Sequence, residues 1–244
     1  MLEVQFIGTG DAFCSGGRRN SAILLREKGR TLLLDCGPTT LLGLKALGID
    51  PREIDAIAIS HFHGDHSAGA PFLMLDYIFE NKRTRPLEII GPPGIEELTQ
   101  RGCAQFHFDT EVRRSYDLTY REYECGTKLE TCGFSILPLP ATHHPETRPH
   151  MLRVATESRA VFFSGDTGWH DALPSQVGDV NLFICECTLL EEGFEFHISH
   201  ERMVRERNGF ACDQILLTHM GSRVLANLDR VQFDTASDGL RVSL

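Results

Sequence analysis

Residues 56–66 read Ala56-Ile57-Ala58-Ile59-Ser60-His61-Phe62-His63-Gly64-Asp65-His66, an apolar run that ends in four metal-ligand side chains within six positions. A short unbroken apolar run of this kind predicts a buried strand, and the loop after it can aim its donors inward. Packing alone does not account for three imidazoles and a carboxylate at such density, and this donor set suits zinc, manganese or iron. A hydrolytic centre needs further ligands from distant segments, with coordination positions left for water and substrate. Three candidate segments follow, each at the end of an apolar run: His143-His144 after Ile136 to Leu139, Asp166 after Val161 to Phe163, and His219 after Ile215 to Leu217. All are expected to emerge at one edge of the fold.

Upstream, Val4 and Phe6 alternate with Glu3 and Gln5, and after the Gly8-Thr9-Gly10 turn come two more apolar runs, Ser21 to Leu25 and Thr31 to Cys36. This predicts an antiparallel meander. Pro38 to Leu47 has helical spacing behind a Gly-Pro start. Downstream, helices are predicted at Ala70 to Phe79 and Gly94 to Gln105, with a strand at Leu87 to Ile90 between them. Further strands are predicted near 134–139, 151–156, 160–164, 180–186 and 215–218, a helix near 200–208, and a last strand at Leu240 to Leu244. Residues 106–133 give no clear pattern. Strands first, helices between and a strand-rich middle predict an α/β protein, a four-layer αββα sandwich forming one domain over residues 1–244. The two halves echo each other in element order without visible residue repeats.

The chain has 244 residues, 41% of them hydrophobic, enough for a sizeable core. It has no apolar run of the roughly 18 to 20 residues that a membrane span needs, and a cytoplasmic protein without a membrane partner is expected. Eight scattered cysteines, without a CxxC pair, read as reduced structural thiols. The net charge of −10 argues against an extended nucleic-acid surface, which requires a basic stripe. The nearest approach to one, Lys82, Arg83 and Arg85, reads as a solvated helix end. Arg18, Arg19 and Asn20, after Gly16-Gly17, read as a flexible rim loop that either holds an anionic substrate or is simply solvated.

The HxHxDH segment, a later histidine, Ser164-Gly165-Asp166-Thr167 and Leu217-Thr218-His219 together resemble, in the same order along the chain, the ligand motifs of the metallo-β-lactamase superfamily. Gly8-Thr9-Gly10, Asn20-Ser21, Asp35-Cys36-Gly37, His197-x-Ser199 and Leu217 to Arg223 resemble ribonuclease Z and related phosphodiesterases in particular. The resemblance implies that His61, His63 and His144 hold one divalent metal ion, that Asp65, His66 and His219 hold a second, and that Asp166 bridges them. Zinc is the expected metal, with manganese and iron compatible. His144 is preferred to its neighbour His143 because the His-Pro step and Pro149 resemble relatives; His143 would then lie behind the ligands.

Two such metals share a hydroxide that serves as nucleophile, so no serine or cysteine nucleophile is required. Asp65 is expected to accept a hydrogen bond from that hydroxide. His197 resembles the family histidine that contacts the scissile phosphate or protonates the leaving group, and Glu186 is expected to orient it. The leading functional expectation is a phosphodiesterase acting on an anionic small molecule or a nucleic-acid end. Longer relatives grip transfer RNA with an extra arm, and no Gly-rich basic insertion stands between Gly91 and Asp109 to supply one. The alternatives are hydrolysis of a lactone, thioester or β-lactam carbonyl on the same fold, and a non-catalytic metal-binding regulator. Substrate identity is expected to lie in loops around residues 11–20, 106–125 and 145–150. The aromatic and apolar residues of 106–123 would form either a homodimer surface or internal packing.

Overall fold

The computed structural model describes residues 1–108 and 113–244. Its first half forms one sheet. Strands β1 (Glu3–Gly8), β2 (Ala22–Glu27) and β3 (Arg30–Leu34) are the antiparallel meander, and β4 (Ala56–Ala58), β5 (Leu87–Gly91) and β6 (Leu118–Glu122) extend it in parallel. The second half forms another: β7 (Leu129–Thr131), β8 (Phe134–Pro140), β9 (His150–Ala155) and β10 (Ala160–Phe163) are antiparallel, and β11 (Leu182–Glu186), β12 (Gln214–Thr218) and β13 (Asp234–Thr235) follow in parallel. The final strand, β14 (Arg241–Ser243), returns to pair with β1. Each half thus runs from antiparallel to parallel, which is the echo in element order made physical.

Three packed clusters define the layers. Val4, Phe6, Leu32 and Leu34 of the first sheet meet Phe134, Ile136, Val161 and Phe163 of the second in the central core. The opposite faces of the same strands are also apolar. Ile57 and Ile89 bury against helix α3 (Ala70–Phe79) and α4 (Ile95–Gln105), with Leu44 of α1 (Thr40–Ala46) beside them. Phe162, Phe183 and Cys185 bury against α5 (Leu173–Val177), α6 (His200–Glu206) and α7 (Ser222–Leu225). Burial on both faces explains the uninterrupted runs such as Leu32-Leu33-Leu34, since strands flanked by helices have no solvent face. The four-layer αββα sandwich follows. Among the described residues no helix is long and apolar enough to cross a membrane, and all eight cysteines are free.

Residues 106–133, which carry no clear pattern, contain β6 and β7. β6 has no buried residue, because it is an edge strand with little apolar surface to bury, and its pattern is correspondingly faint. Within the stretch considered for a dimer surface, Phe106 and Phe108 pack against Phe72 at 5.4 and 5.5 Å, and Tyr116 against Tyr77 at 5.9 Å. Residues 109–112 of that stretch lie outside the described residues.

Lys82 and Arg85 are exposed as read, but Arg83 and the Arg18-Arg19 pair, read as solvated or mobile, are instead structural. Arg83 is 1% exposed, and its guanidinium donates to the carbonyls of Arg85, Arg52 and Pro86 while lying over the Tyr77 ring. Arg83→Ala would remove a buried side chain and its three hydrogen bonds to the carbonyls of Arg85, Arg52 and Pro86, each worth roughly 0.5–1.5 kcal/mol net. The expected result is a urea midpoint lowered by the equivalent of about 2–4 kcal/mol, with an unchanged slope. Arg18 donates to Ala236 O and Thr9 Oγ1, and Arg19 to Ile7 O, with Asp238 at 3.6 Å. These arginines tie the loop to the sheet ends.

Candidate metal centre

Every donor of the centre lies just beyond the carboxyl end of a strand, where the backbone leaves the sheet and a side chain can turn over its edge. His61 to His66 follow β4, and α2 (Gly64–Ser67) carries Asp65 and His66. His143 follows β8, Asp166 follows β10, Glu186 ends β11, and His219 follows β12. Asp35, just after β3, and His219 both hold left-handed backbone, at φ 56 and 53. A non-glycine residue there costs roughly 1–3 kcal/mol, so the surrounding packing enforces the turns that aim these two side chains. Gly37 makes room for the loop, because a Cβ there would lie 2.2 Å from the Asp65 carbonyl.

The donors fall into two groups that share Asp166. In the first, His61 Nε2 and His143 Nε2 lie 3.1 and 3.0 Å from His63 Nδ1, and 3.8 and 3.9 Å from Asp166 Oδ2. In the second, His66 Nε2 lies 3.2 Å from Asp65 Oδ2, 3.2 Å from Asp166 Oδ1 and 3.3 Å from His219 Nε2. His219 Nε2 is in turn 3.2 Å from Asp65 Oδ2 and 3.4 Å from Asp166 Oδ1. Asp166 therefore turns one oxygen to each group.

The ring orientations are set from behind. His66 donates from Nδ1 to Asp35 Oδ2 at 2.6 Å, and His143 donates from Nδ1 to the Phe196 carbonyl at 2.9 Å. Both acceptors lack a proton, so in the neutral ring Nδ1 carries the hydrogen and Nε2 presents its lone pair to the centre. Ser60 Oγ donates to Asp35 and so accepts from His61 Nδ1 at 3.0 Å; Thr188 Oγ1 donates to Glu186 and accepts from His219 Nδ1 at 3.0 Å. Such outer partners fix tautomer and aim in metal sites.

Lone pairs facing one another at 3.0 to 3.3 Å repel unless a cation stands among them. Asp166 Oδ1 is buried without a partner of hydrogen-bond geometry, an orphan that a cation would satisfy. Electrostatics point the same way. Burial works against charge on His66, yet Asp166, Asp35 and Asp65 hold its pKa well above the ordinary value. Burial likewise opposes the Asp166 charge, but His219 and His66 hold that carboxyl well below its usual range. The carboxylates thus demand positive charge, which a proton or a metal ion can supply. His61, remote from most of them, is pushed well down by burial and stays neutral, the form that ligates. The donor set fits a metal site.

His144 is not in either group. Its ring centre is 5.7 Å from that of His63 and 4.4 Å from that of Phe196. Adjacent residues leaving a strand point in different directions, and the Phe196 carbonyl captures His143. His197 and Glu186 lie beside the second group: His197 donates from Nδ1 to Glu186 Oε1 at 2.8 Å, and its ring stacks 5.9 Å from that of His219. Glu186 is fully buried, and accepts also from Thr167 N, Thr188 N and Thr188 Oγ1. Burial pulls the His197 pKa down, but Glu186 outweighs it and the value rises to about 9. Asp35, Ser60 and Thr188 have no role in the sequence reading. Asp35 alone leaves a sign there, an acid closing an apolar strand.

The curated ribonuclease Z of Methanothermobacter thermautotrophicus is 32% identical over 73% of this chain, and that of Mycobacterium bovis is 30% identical over 71%. The chain spans 60% and 65% of their lengths. Among solved structures, the metallo-β-lactamase fold protein YhfI of Bacillus subtilis superposes with a TM-score of 0.80 at 22% identity, covering all of both chains. The short form of human tRNase Z gives 0.78 at 23%, covering 99% of this chain and 98% of that one. Fold and ligand order together place the protein among the ribonuclease Z-like members of the metallo-β-lactamase superfamily. Within it, the chain belongs to the family described as Anti-Pycsar protein Apyc1, whose model matches residues 2–233.

Proposed function

We propose that the protein is a phosphodiesterase that depends on two divalent metal ions, zinc foremost, one held by His61, His63, His143 and Asp166 and the other by Asp65, His66, His219 and Asp166. The observation that carries this reading is the split of Asp166, one oxygen toward each donor group with Oδ1 unpartnered. Bound metals would supply an acidified water as nucleophile and charge stabilisation at the phosphoryl oxygen. The chain's own groups do the rest. Asp65 Oδ2, 3.2 Å from two imidazoles, is placed to accept a hydrogen bond from the attacking water. His197 keeps a proton through Glu186 and faces the centre, so it hydrogen-bonds a phosphoryl oxygen and gives its proton to the leaving oxygen. Thr188 links Glu186 to His219, which locks the acid to the ligand set. The ribonuclease Z relatives support phosphodiester rather than carbonyl chemistry. Eight free thiols support a reducing, cytoplasmic setting.

The test is metal content together with hydrolysis of bis(p-nitrophenyl) phosphate, cyclic mononucleotides and a transfer-RNA precursor. About two metals per chain, with cleavage of a phosphodiester that chelation abolishes and zinc or manganese restores, is the expected result. Two metals with turnover of lactones or thioesters alone would overturn it.

The acid role sets a pH dependence. His197 has its pKa raised to about 9, so its protonated form, and with it kcat/KM, declines as pH rises through about 9. The same shift adds stability that is complete below the ordinary imidazole value of about 6.5 and is lost as pH climbs through about 9. In Glu186→Gln the carboxylate is gone, and the alkaline limb of the pH–rate profile is expected to move down toward about 6.5. An unmoved limb would show that another group titrates.

A further inference from the structure

The two sheets are joined at the metal centre by backbone hydrogen bonds, and one of these is held by a residue outside the donor set. His219 N donates to the Thr9 carbonyl at 3.0 Å, which links the turn after β12 to the turn after β1. From the other side Thr188 Oγ1 holds the ring at Nδ1, at 3.0 Å. His219 has left-handed backbone, φ 53, a form that a residue with a Cβ keeps only where its surroundings impose it. Thr9 is the first sheet's share of that constraint.

Thr9 is fully buried and is itself gripped. Asp238 Oδ1 accepts from Thr9 N at 2.9 Å and from Thr9 Oγ1 at 2.8 Å, while Oδ2 accepts from Arg19 N at 2.9 Å. The hydroxyl, having given its hydrogen to Asp238, accepts from Arg18 Nη1 at 3.1 Å. Hydrogen bonds to a charged acceptor are the stronger kind, and three of them converge on this one carboxylate. Asp238 lies where the chain crosses from β13 back to β14, and the crossing is tied at both ends. Ala236 N donates to the Leu217 carbonyl and Gly239 N to the Phe6 carbonyl, each at 2.7 Å. None of these bonds reaches a metal donor directly.

The two donor groups depend on this corner unequally. In the second, Asp65 and His66 come from the first sheet and His219 from the second, so their 3.2 and 3.3 Å spacings require the sheets to be held in register at Thr9. The first group has links of its own: His150 N donates to the Ser60 carbonyl at 3.0 Å, and Phe62 N to the Thr147 carbonyl at 2.9 Å. We propose that Asp238 is a positioning residue for the second metal position alone, acting through Thr9 on the backbone of His219. This deepens the two-metal phosphodiesterase reading and rests on it.

The test is zinc titration, by competition with a chromophoric chelator, in two backgrounds that each keep one donor group. In His143→Ala the remaining zinc reports the second group, and adding Asp238→Ala is expected to weaken it roughly 10- to 100-fold, the usual cost of losing an outer partner. In His219→Ala the remaining zinc reports the first group, and the same addition should leave its affinity within about twofold. Asp238→Asn keeps an oxygen toward Thr9 without the charge and should hold the second-group affinity close to that with Asp238. Equal weakening in both backgrounds would show a general structural role and overturn the proposal, as would no weakening in either. An Asn variant as weak as the Ala variant would show that the charge acts and not the grip on Thr9, which also overturns it. Should Asp238→Ala not fold, judged by thermal unfolding of the metal-free chain, Thr9→Val removes the hydroxyl part of the grip and is compared in the same backgrounds, with the same outcomes deciding. Wild type that binds two zinc ions but cleaves no phosphodiester fails the reading beneath and leaves the positioning role standing; wild type that binds no zinc overturns both.

Discussion

Asp166→Ala is expected to empty both metal positions and to lower phosphodiester cleavage by at least roughly 100- to 1,000-fold, the loss that follows removal of one preorganised charge-stabilising group. The size of the effect comes from geometry. One carboxylate faces His61 and His143 with Oδ2 and His66 and His219 with Oδ1, so its removal takes a ligand from each group at once. It also removes a buried negative charge that would offset the charge of bound metal ions. A second readout is thermal. Wild type should gain stability on adding zinc, about 4 kcal/mol at a thousandfold excess over the dissociation constant, and the variant should show little of that gain. Metal content near two per chain in Asp166→Ala would refute the bridging role.

His143→Ala and His144→Ala are expected to separate cleanly, although the residues are neighbours. The first removes a donor that lies 3.0 Å from His63 Nδ1 and should cost about one metal per chain, with activity down by at least roughly 100-fold. The second removes a ring that reaches neither donor group and should leave metal content near that of wild type. Elemental analysis of the two purified variants decides. The reverse pattern would restore His144 as the ligand and would mean that the Phe196 carbonyl does not hold His143 in solution.

Most of the architecture was legible in the chain because the signals were local. Strands buried on both faces show as unbroken apolar runs, and the helices that cover them show apolar residues at helical spacing. β6 escaped because its residues are half-buried or exposed, and short elements such as α5 and α7 carry too few turns for a period. Arg83 was misread for a different cause: the sequence Lys82-Arg83-Thr84-Arg85 looks uniformly basic, and nothing in it tells which guanidinium will turn back on the carbonyls of Arg85 and Pro86 and reach that of Arg52.

The sequence by itself marked most of the candidate donors. HxHxDH after a strand, with Asp166 and His219 at later strand ends, follows from residue types and their positions relative to apolar runs, and both are linear properties. The tertiary structure alone brings His143 rather than His144 to the other candidate donors, because that placement depends on a carbonyl 53 residues away reaching one ring and not the other. It alone brought Asp35 behind His66, across 31 residues, and set Phe194 and Phe196 beside the centre. Metal-ligand chemistry is written in side chains, whereas aim and second partners are set by which backbone segments meet when the two sheets close on their shared core.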